Sequence, residues 1–478
     1  MSFAAAAIVA WLVVTLLTQS ALMGDNIEQT NWAHSFEWGY YKHPPLPTWL
    51  LIATTRLLGP LWWLTNVLAA LCFLGTAFVT YALALRLTTR RNAQLAILLW
   101  GLHLTLTWRV SMYNHNTVLM LLCALMAWAV VSATQRHSMR HWLMAGVFVG
   151  LAMLAKYQAI ILIFVLLVAL VRSKYLANPF HRRGVVRAAL IAALIFSPHA
   201  IWLVANDFLP MHYASTQLPK AWSLDGQIAT VSFAAQQLRF FWPSIAAVLV
   251  CIAFIPASVN SVRRSRIARN GGRGPNMVWI RFLTLAPVAC VLIIGLAGTH
   301  LQNHWGMQTL QFSCLGFAVW LGRRSAVRPR QFLVVAIVLH LLLMATVVQD
   351  MFYVRENGWQ GHGDKNYPGH ELTRKAVADW QSATTCHLKY VVGPSFEAGT
   401  ISLFSGQNPL VLEGGSYVAS PWIDKADLQR QGALYVSYSA DELPTAATAR
   451  GSLVITTLEV SKRPQTVYWG VVVPAAHC

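Results

Sequence analysis

Only five carboxylates occur in the first 349 residues, and three of them, Asp25, Glu28 and Glu37, fall within one short stretch. It reads Gly24-Asp25-Asn26-Ile27-Glu28-Gln29, then Gly39-Tyr40-Tyr41-Lys42-His43-Pro44-Pro45-Leu46, then Trp49. Asp25 and Glu28 are three residues apart, so a helix would carry them on one face. A carboxylate held against apolar surroundings ionises less readily, which suits general-base work. Lys42 and His43 precede a stiff Pro-Pro pair and could meet an anionic phosphate. The bland alternative is helix capping and a lysine reaching for lipid headgroups. Asp25 is read here as chemical, Glu28 as its neighbour, and Glu37 as a cap.

Four further polar groups interrupt otherwise apolar sequence. Tyr113-Asn114-His115-Asn116-Thr117 opens an apolar run, where Asn116 fits a helix cap. Lys156-Tyr157-Gln158 sits between two short apolar runs, and a lysine so placed usually has a partner. Ser197-Pro198-His199 lies inside another run, where a histidine is ordinarily hydrogen-bonded within the core, and continues to Asn206-Asp207-Phe208-Leu209-Pro210-Met211-His212-Tyr213. Gln302-Asn303-His304-Trp305 is the last group.

The elements that must position these groups are membrane spans. Apolar runs near 4–23, 60–85, 92–108, 115–135, 141–155, 157–171, 184–205, 241–262, 279–299, 306–322 and 331–349 make eleven when the short pair 141–155 and 157–171 is counted as two. The first run has no Lys or Arg before it and is long for a signal-peptide core, so it is read as retained. With the N-terminus cytoplasmic, the inner loops collect twenty Lys and Arg and no acid, as the positive-inside rule requires. All five polar groups then fall on the outer side, where they describe one cavity between helices. Ionisable residues inside the spans are few, His103 and His340 being the nearest cases, which argues against a transport path.

Composition agrees. Of 478 residues, 56% are hydrophobic and 11% charged, which excludes a disordered chain and a small disulfide scaffold. The net charge of +19 would suggest nucleic acid on a soluble protein; here the loops account for it, and no nucleic-acid partner is expected. From Asp350 the chain carries 12 acidic and 10 basic residues and reads as a separate soluble domain. A helical stretch at 369–382 precedes β-like runs at Leu388–Val392, Ile401–Phe404, Leu410–Leu412, Ala433–Tyr438, Leu453–Val460 and Val467–Val473, which suggests a small α/β unit. Its cysteines, Cys386 and Cys478, are disulfide candidates in an oxidising compartment. No Gly-rich phosphate loop and no paired-cysteine zinc spacing appear.

Asp25-x-x-Glu28 followed by Gly39-Tyr40-Tyr41-Lys42-His43-Pro44-Pro45-Leu46-x-x-Trp49 resembles the first-loop motif of the GT-C glycosyltransferases of the protein-mannosyltransferase-like class, whose bacterial members include the lipid A aminoarabinose transferase. Asn114 through Tyr157, and Ser197-Pro198-His199 with Trp202 and Tyr213, are also similar to that family. The resemblance implies a GT-C fold of about eleven transmembrane helices over residues 1–349 and a periplasmic α/β domain over 350–478. It implies an inner-membrane enzyme that moves a sugar, with inversion, from a polyprenyl-phosphate donor to a lipid, glycan or protein acceptor. Asp25 would be the catalytic carboxylate with Glu28 beside it. Tyr41, Lys42, His43, Asn116, Lys156, Tyr157, His199 and Tyr213 would bind substrate, and a divalent metal ion could join them. The sequence departs from the family where Lys42-His43 stands for Glu-Lys and Asn116 for an Asp. The competing reading is a non-enzymatic transporter or flippase of lipid-linked sugar.

Overall fold

The computed structural model describes residues 2–216, 224–254, 275–299, 301–302, 305–324, 327–359, 363–455 and 466–475. A helix lies on each of the eleven apolar runs. These are α1 (Ser2–Thr18), α4 (Leu64–Leu87), α5 (Arg90–Gly101), α6 (His115–Arg136), α7 (Met139–Ala155), α8 (Ala159–Arg172), α9 (Pro179–Ala205), α12 (Trp242–Ala253), α13 (Pro275–Leu296), α14 (Ser313–Arg324) and α15 (Pro329–Asn357). Between them lie α2 (Gly24–Trp32), α3 (Leu46–Leu58), α10 (Leu209–Thr216) and α11 (Leu224–Phe240).

Their lengths differ from the expectation. Among the described residues five helices, α4, α6, α9, α13 and α15, are long and apolar enough to cross a membrane, and six if α11 and α12, bent by 47°, form one span. At 1.5 Å per residue the 14 residues of α8 reach about 21 Å, short of a hydrocarbon core of about 30 Å. The break between α7 and α8 is what turns Lys156 inward.

One apolar core runs through these helices and includes the fully buried Trp11, Trp142, Trp279, Phe312 and Phe332. His340 accepts a hydrogen bond from the Trp11 indole at 2.9 Å, and His103 bonds Thr105 at 2.7 Å. Both histidines thus have local structural partners.

The C-terminal part is a five-stranded sheet of β1 (Tyr390–Gly393), β2 (Leu410–Glu413), β3 (Ala433–Ser437), β4 (Ala449–Val454) and β5 (Thr466–Val472). The order is β2-β1-β3-β5-β4, with β1 parallel to β2 and β3, and β5 antiparallel to β3 and β4. Helices α16 (Gly369–Ala383), α17 (Ser395–Phe404) and α18 (Lys425–Gln431) complete it. The run Ile401–Phe404, expected as a strand, is the last turn of α17. Ile401 and Ser402 are both buried, so the apolar run reflects burial on two sides of a helix and not a strand period. Cys386 is disulfide-bonded, while Cys478 lies outside the described residues, as do residues 456–460 of the run begun at Leu453. The core of this part also takes in Ala21, Leu22 and Ile27, so the first loop is built into it.

Candidate functional site

Met23, Gly24 and Asp25 lead into α2, whose nine residues carry Asp25 in the first turn and Glu28 one turn on. Gly39 lies directly against the Trp202 ring, with no room for a Cβ, and this lets the loop fold back over α9. The chain then passes through Lys42, His43 and the Pro44-Pro45 pair into α3. The His115 ring stands 4.2 Å from that of His43, and its Nε2–H donates to the Pro44 carbonyl at 3.2 Å.

These elements enclose a cavity of about 520 Å³. Eight of the ten residues expected to bind or react line it: Asp25, Glu28, Lys42, His43, Asn116, Lys156, Tyr157 and Tyr213. Tyr41 and His199 stand behind that wall. Tyr41 packs edge-on to Tyr213, and the Lys42 ammonium lies 5.0 Å and 5.3 Å from the two ring centroids. The His199 Nδ1–H donates to the Trp38 carbonyl at 2.7 Å, which leaves Nε2 to accept from the Tyr157 hydroxyl at 2.8 Å. Glu37, read as a cap, accepts from the Ser35 hydroxyl at 2.7 Å and does not line the cavity.

Asn114, not Asn116, caps α6: its Oδ1 accepts from the Thr117 N–H at 3.0 Å. That frees Asn116, one residue inside the helix, to face the cavity. Its Oδ1 accepts from Lys156 Nζ at 2.6 Å and from Gln308 Nε2 at 3.0 Å, and Gln308 donates onward to Gln158 at 2.7 Å. The Lys156 ammonium also faces the Trp305 ring at 5.5 Å. Gln308 is not legible as a site residue in the sequence, since an amide within an apolar run carries no spacing signal. Asn303 and His304 of the expected fifth group lie outside the described residues.

The electrostatics differ between the two lysines. Lys42 forms an ion pair with Glu28. Burial pushes the Glu28 carboxyl up to about 7; Lys42 pulls it back, and Glu413 and Asp25 add to the rise. Burial disfavours the Lys42 ammonium, yet the Glu28 carboxylate raises it above the ordinary lysine value. Burial also lowers Lys156, to about 8, with Asp25 opposing the drop. Lys156 therefore holds its charge against neutral amide partners. Ile161, Pro210, Val291, Ile294 and Leu301 add an apolar lining to the same cavity.

The donor set does not match a metal. Among the described residues no three His, Cys, Asp or Glu side chains come together as ligands, and Glu28 is engaged by an ammonium.

Known proteins share this architecture. Residues 42–202 match the family model of dolichyl-phosphate-mannose-protein mannosyltransferase. The chain is 23% identical over 376 residues to the lipopolysaccharide core galacturonosyltransferase RgtB of Rhizobium johnstonii, covering 76% of this chain and 74% of that one. It is 25% identical over 318 residues to the lipid A galacturonosyltransferase RgtD of the same organism, covering 65% and 63%. The crystal structure of ArnT from Cupriavidus metallidurans bound to undecaprenyl phosphate superposes with a TM-score of 0.64 at 14% identity, over 100% of this chain and 98% of that one, so the two share a fold. The chain is thus similar in sequence to bacterial galacturonosyltransferases and shares the fold of ArnT, a likeness that supports a bacterial GT-C glycosyltransferase.

Proposed function

We propose that the protein transfers a sugar from a polyprenyl-phosphate donor to a lipid or glycan acceptor of the cell envelope. One observation carries the reading: a single cavity joins the Asp25 carboxylate, two ammonium groups and an apolar wall. Such a cavity matches a lipid phosphate with its hydrocarbon tail beside a sugar. The names of RgtB and RgtD point to an acceptor in lipopolysaccharide, and that of the ArnT structure to a polyprenyl phosphate.

In this mechanism Asp25 takes the proton of the acceptor hydroxyl. The acceptor oxygen bonds the anomeric carbon as its bond to the phosphate oxygen breaks, and configuration inverts. Polyprenyl phosphate leaves, its charge met by Lys156 and by Lys42. Tyr157, held by His199, and Asn116 orient the sugar and the ammonium. A single displacement needs one base, so an amide at position 116 is compatible with it. On this reading residues 1–349 hold the cavity at the periplasmic side of the inner membrane, beneath a domain of 350–478; the positive-inside distribution of Lys and Arg supports that orientation.

Purified protein supplied with a polyprenyl-phosphate-linked sugar and lipopolysaccharide acceptor should release polyprenyl phosphate and glycosylated acceptor in equal amounts. Asp25→Asn should lower the rate by roughly a hundredfold or more with the protein still folded. Retained turnover in that variant would remove Asp25 from the reaction. Flipping of donor without release of polyprenyl phosphate would favour the transporter reading.

A further inference from the structure

Helix α2 carries both Asp25 and Glu28, yet it has no cap of its own: Met23 stands at the N-cap and offers no side-chain oxygen. The missing acceptor comes from far along the chain. Asp364 Oδ2 accepts the Gly24 N–H at 3.0 Å, across 340 residues, and lies at the positive end of the helix. The other end of α2 is held by a second carboxylate. Glu413, the last residue of β2 and 4% exposed, accepts from Asn31 Nδ2 at 2.9 Å and from the Trp32 indole N–H at 3.4 Å. The Ser395 hydroxyl at the start of α17 donates to the same carboxylate at 2.7 Å.

The contact between these grips is equally close. Gly399 of α17 lies against Asn31 and Ile27 with no space for a Cβ, and Ile27 is part of the C-terminal core. What Glu413 holds leads directly to the cavity. Trp32 stacks on Tyr40 at 5.1 Å with the planes 6° apart, and meets Tyr41, His43 and His115 edge-on or tilted. The carboxyl ends of parallel strands are where open α/β sheets ordinarily take their ligands. At β2 that place is occupied by α2.

We propose that Glu413 and Asp364 are positioning residues, and that the C-terminal domain acts as a two-point clamp fixing the helix that bears Asp25. The inference rests on the reading of Asp25 as the base, and it assigns the sheet's strand ends to holding that helix, not to capturing acceptor. Neither clamp residue touches the reacting atoms. Their removal acts through the placement of Asp25, where a displacement of about 1 Å costs on the order of a hundredfold in rate.

The test uses the full-length protein in detergent or nanodiscs, with Glu413→Ala, Glu413→Gln and Asp364→Ala. Hydrogen exchange is measured over residues 24–32 alongside turnover. Glu413→Ala should speed amide exchange in 24–32, lower kcat by about tenfold to a hundredfold and leave the donor KM within about twofold. Glu413→Gln keeps an oxygen for Asn31 and Ser395 and should recover most of the rate. Asp364→Ala removes the acceptor of the Gly24 N–H and should speed exchange at the first turn of α2. Unchanged exchange in 24–32 for both Glu413→Ala and Asp364→Ala would overturn the clamp whether or not the protein proves to be a transferase. Faster exchange with turnover unaltered would overturn its catalytic role. Faster exchange in these variants of a protein that, as wild type, transfers no sugar would leave the clamp standing and sink the proposed reaction.

Discussion

Asn114 serves two elements at once: its Oδ1 closes the first turn of α6 on Thr117, and its Nδ2 donates to Asp25 Oδ2 at 2.7 Å. The cap of a buried helix thereby aims the carboxylate proposed as the base. The two duties can be separated. Asn114→Asp keeps a good cap and replaces the donor by a second carboxylate facing Asp25. Turnover should fall, and repulsion between the two carboxylates should lower the melting temperature at neutral pH more than at acid pH, where one of them carries a proton. Asn114→Ala loses the cap as well and should cost about 1 kcal/mol of stability, read by thermal denaturation in detergent.

Lys156 predicts the alkaline limb of activity. Burial holds its ammonium down at about 8, so turnover should fall as pH rises through that value. Lys156→Arg keeps a cation at any working pH and should move the limb upward. Lys156→Met should weaken donor binding across the range. For folding the sign is the reverse of the activity limb. A lysine with a lowered value contributes stability in full above its ordinary 10.5 and loses that contribution as pH falls through about 8. A limb unmoved in Lys156→Arg would assign the titration to another group.

The Glu28–Lys42 pair should dominate stability on the acid side. The Glu28 value is raised by burial from 4.5 to about 7, so its contribution is complete below 4.5 and lost as pH rises through 7. Melting temperature should therefore decline across that window in the wild type, and Glu28→Gln should flatten the decline. Lys42→Met strands a buried carboxylate and should destabilise by about 3 kcal/mol at pH 8. The double variant Glu28→Gln with Lys42→Met should recover most of that loss, as a double-mutant cycle would record.

Tyr157→Phe removes the hydroxyl that His199 accepts and leaves the ring packed against it, centroids 5.8 Å apart. Stability should drop by about 1 kcal/mol. Turnover should fall severalfold while melting stays cooperative. Loss of activity with no loss of stability would mark Tyr157 as a direct substrate contact.

The first loop is the most legible part of the chain because scarcity singles it out. Three acids and a lysine crowd one stretch of an apolar half, and Asp25, Glu28 and Lys42 do meet in one cavity. The apolar runs are equally plain, since each carries a helix, although length along the run overstates what several helices cover. Asn116 reads as a cap because both it and Asn114 stand near a helix start and only φ and ψ separate them; Asn114 is extended at φ −159°. Glu413 and Asp364 are illegible for another reason. Their partners are 382 and 340 residues away in sequence, and no local period encodes a tertiary grip. The helix Leu46–Leu58 escapes a sequence reading because Pro44-Pro45-Leu46-Pro47 looks like a breaker, although proline at the first turn of a helix is well tolerated.

The grip on α2 also bears on how the protein comes into being. The helix with Asp25 leaves the ribosome well before Glu413, and the hydrogen bond from Asn31 to Glu413 closes a loop of 382 residues. Chains interrupted before residue 413 would already have most of the cavity's walls but nothing to brace the carboxylate. A chain truncated there would keep its cavity yet stay idle, and competence would wait on the segment that carries Glu413.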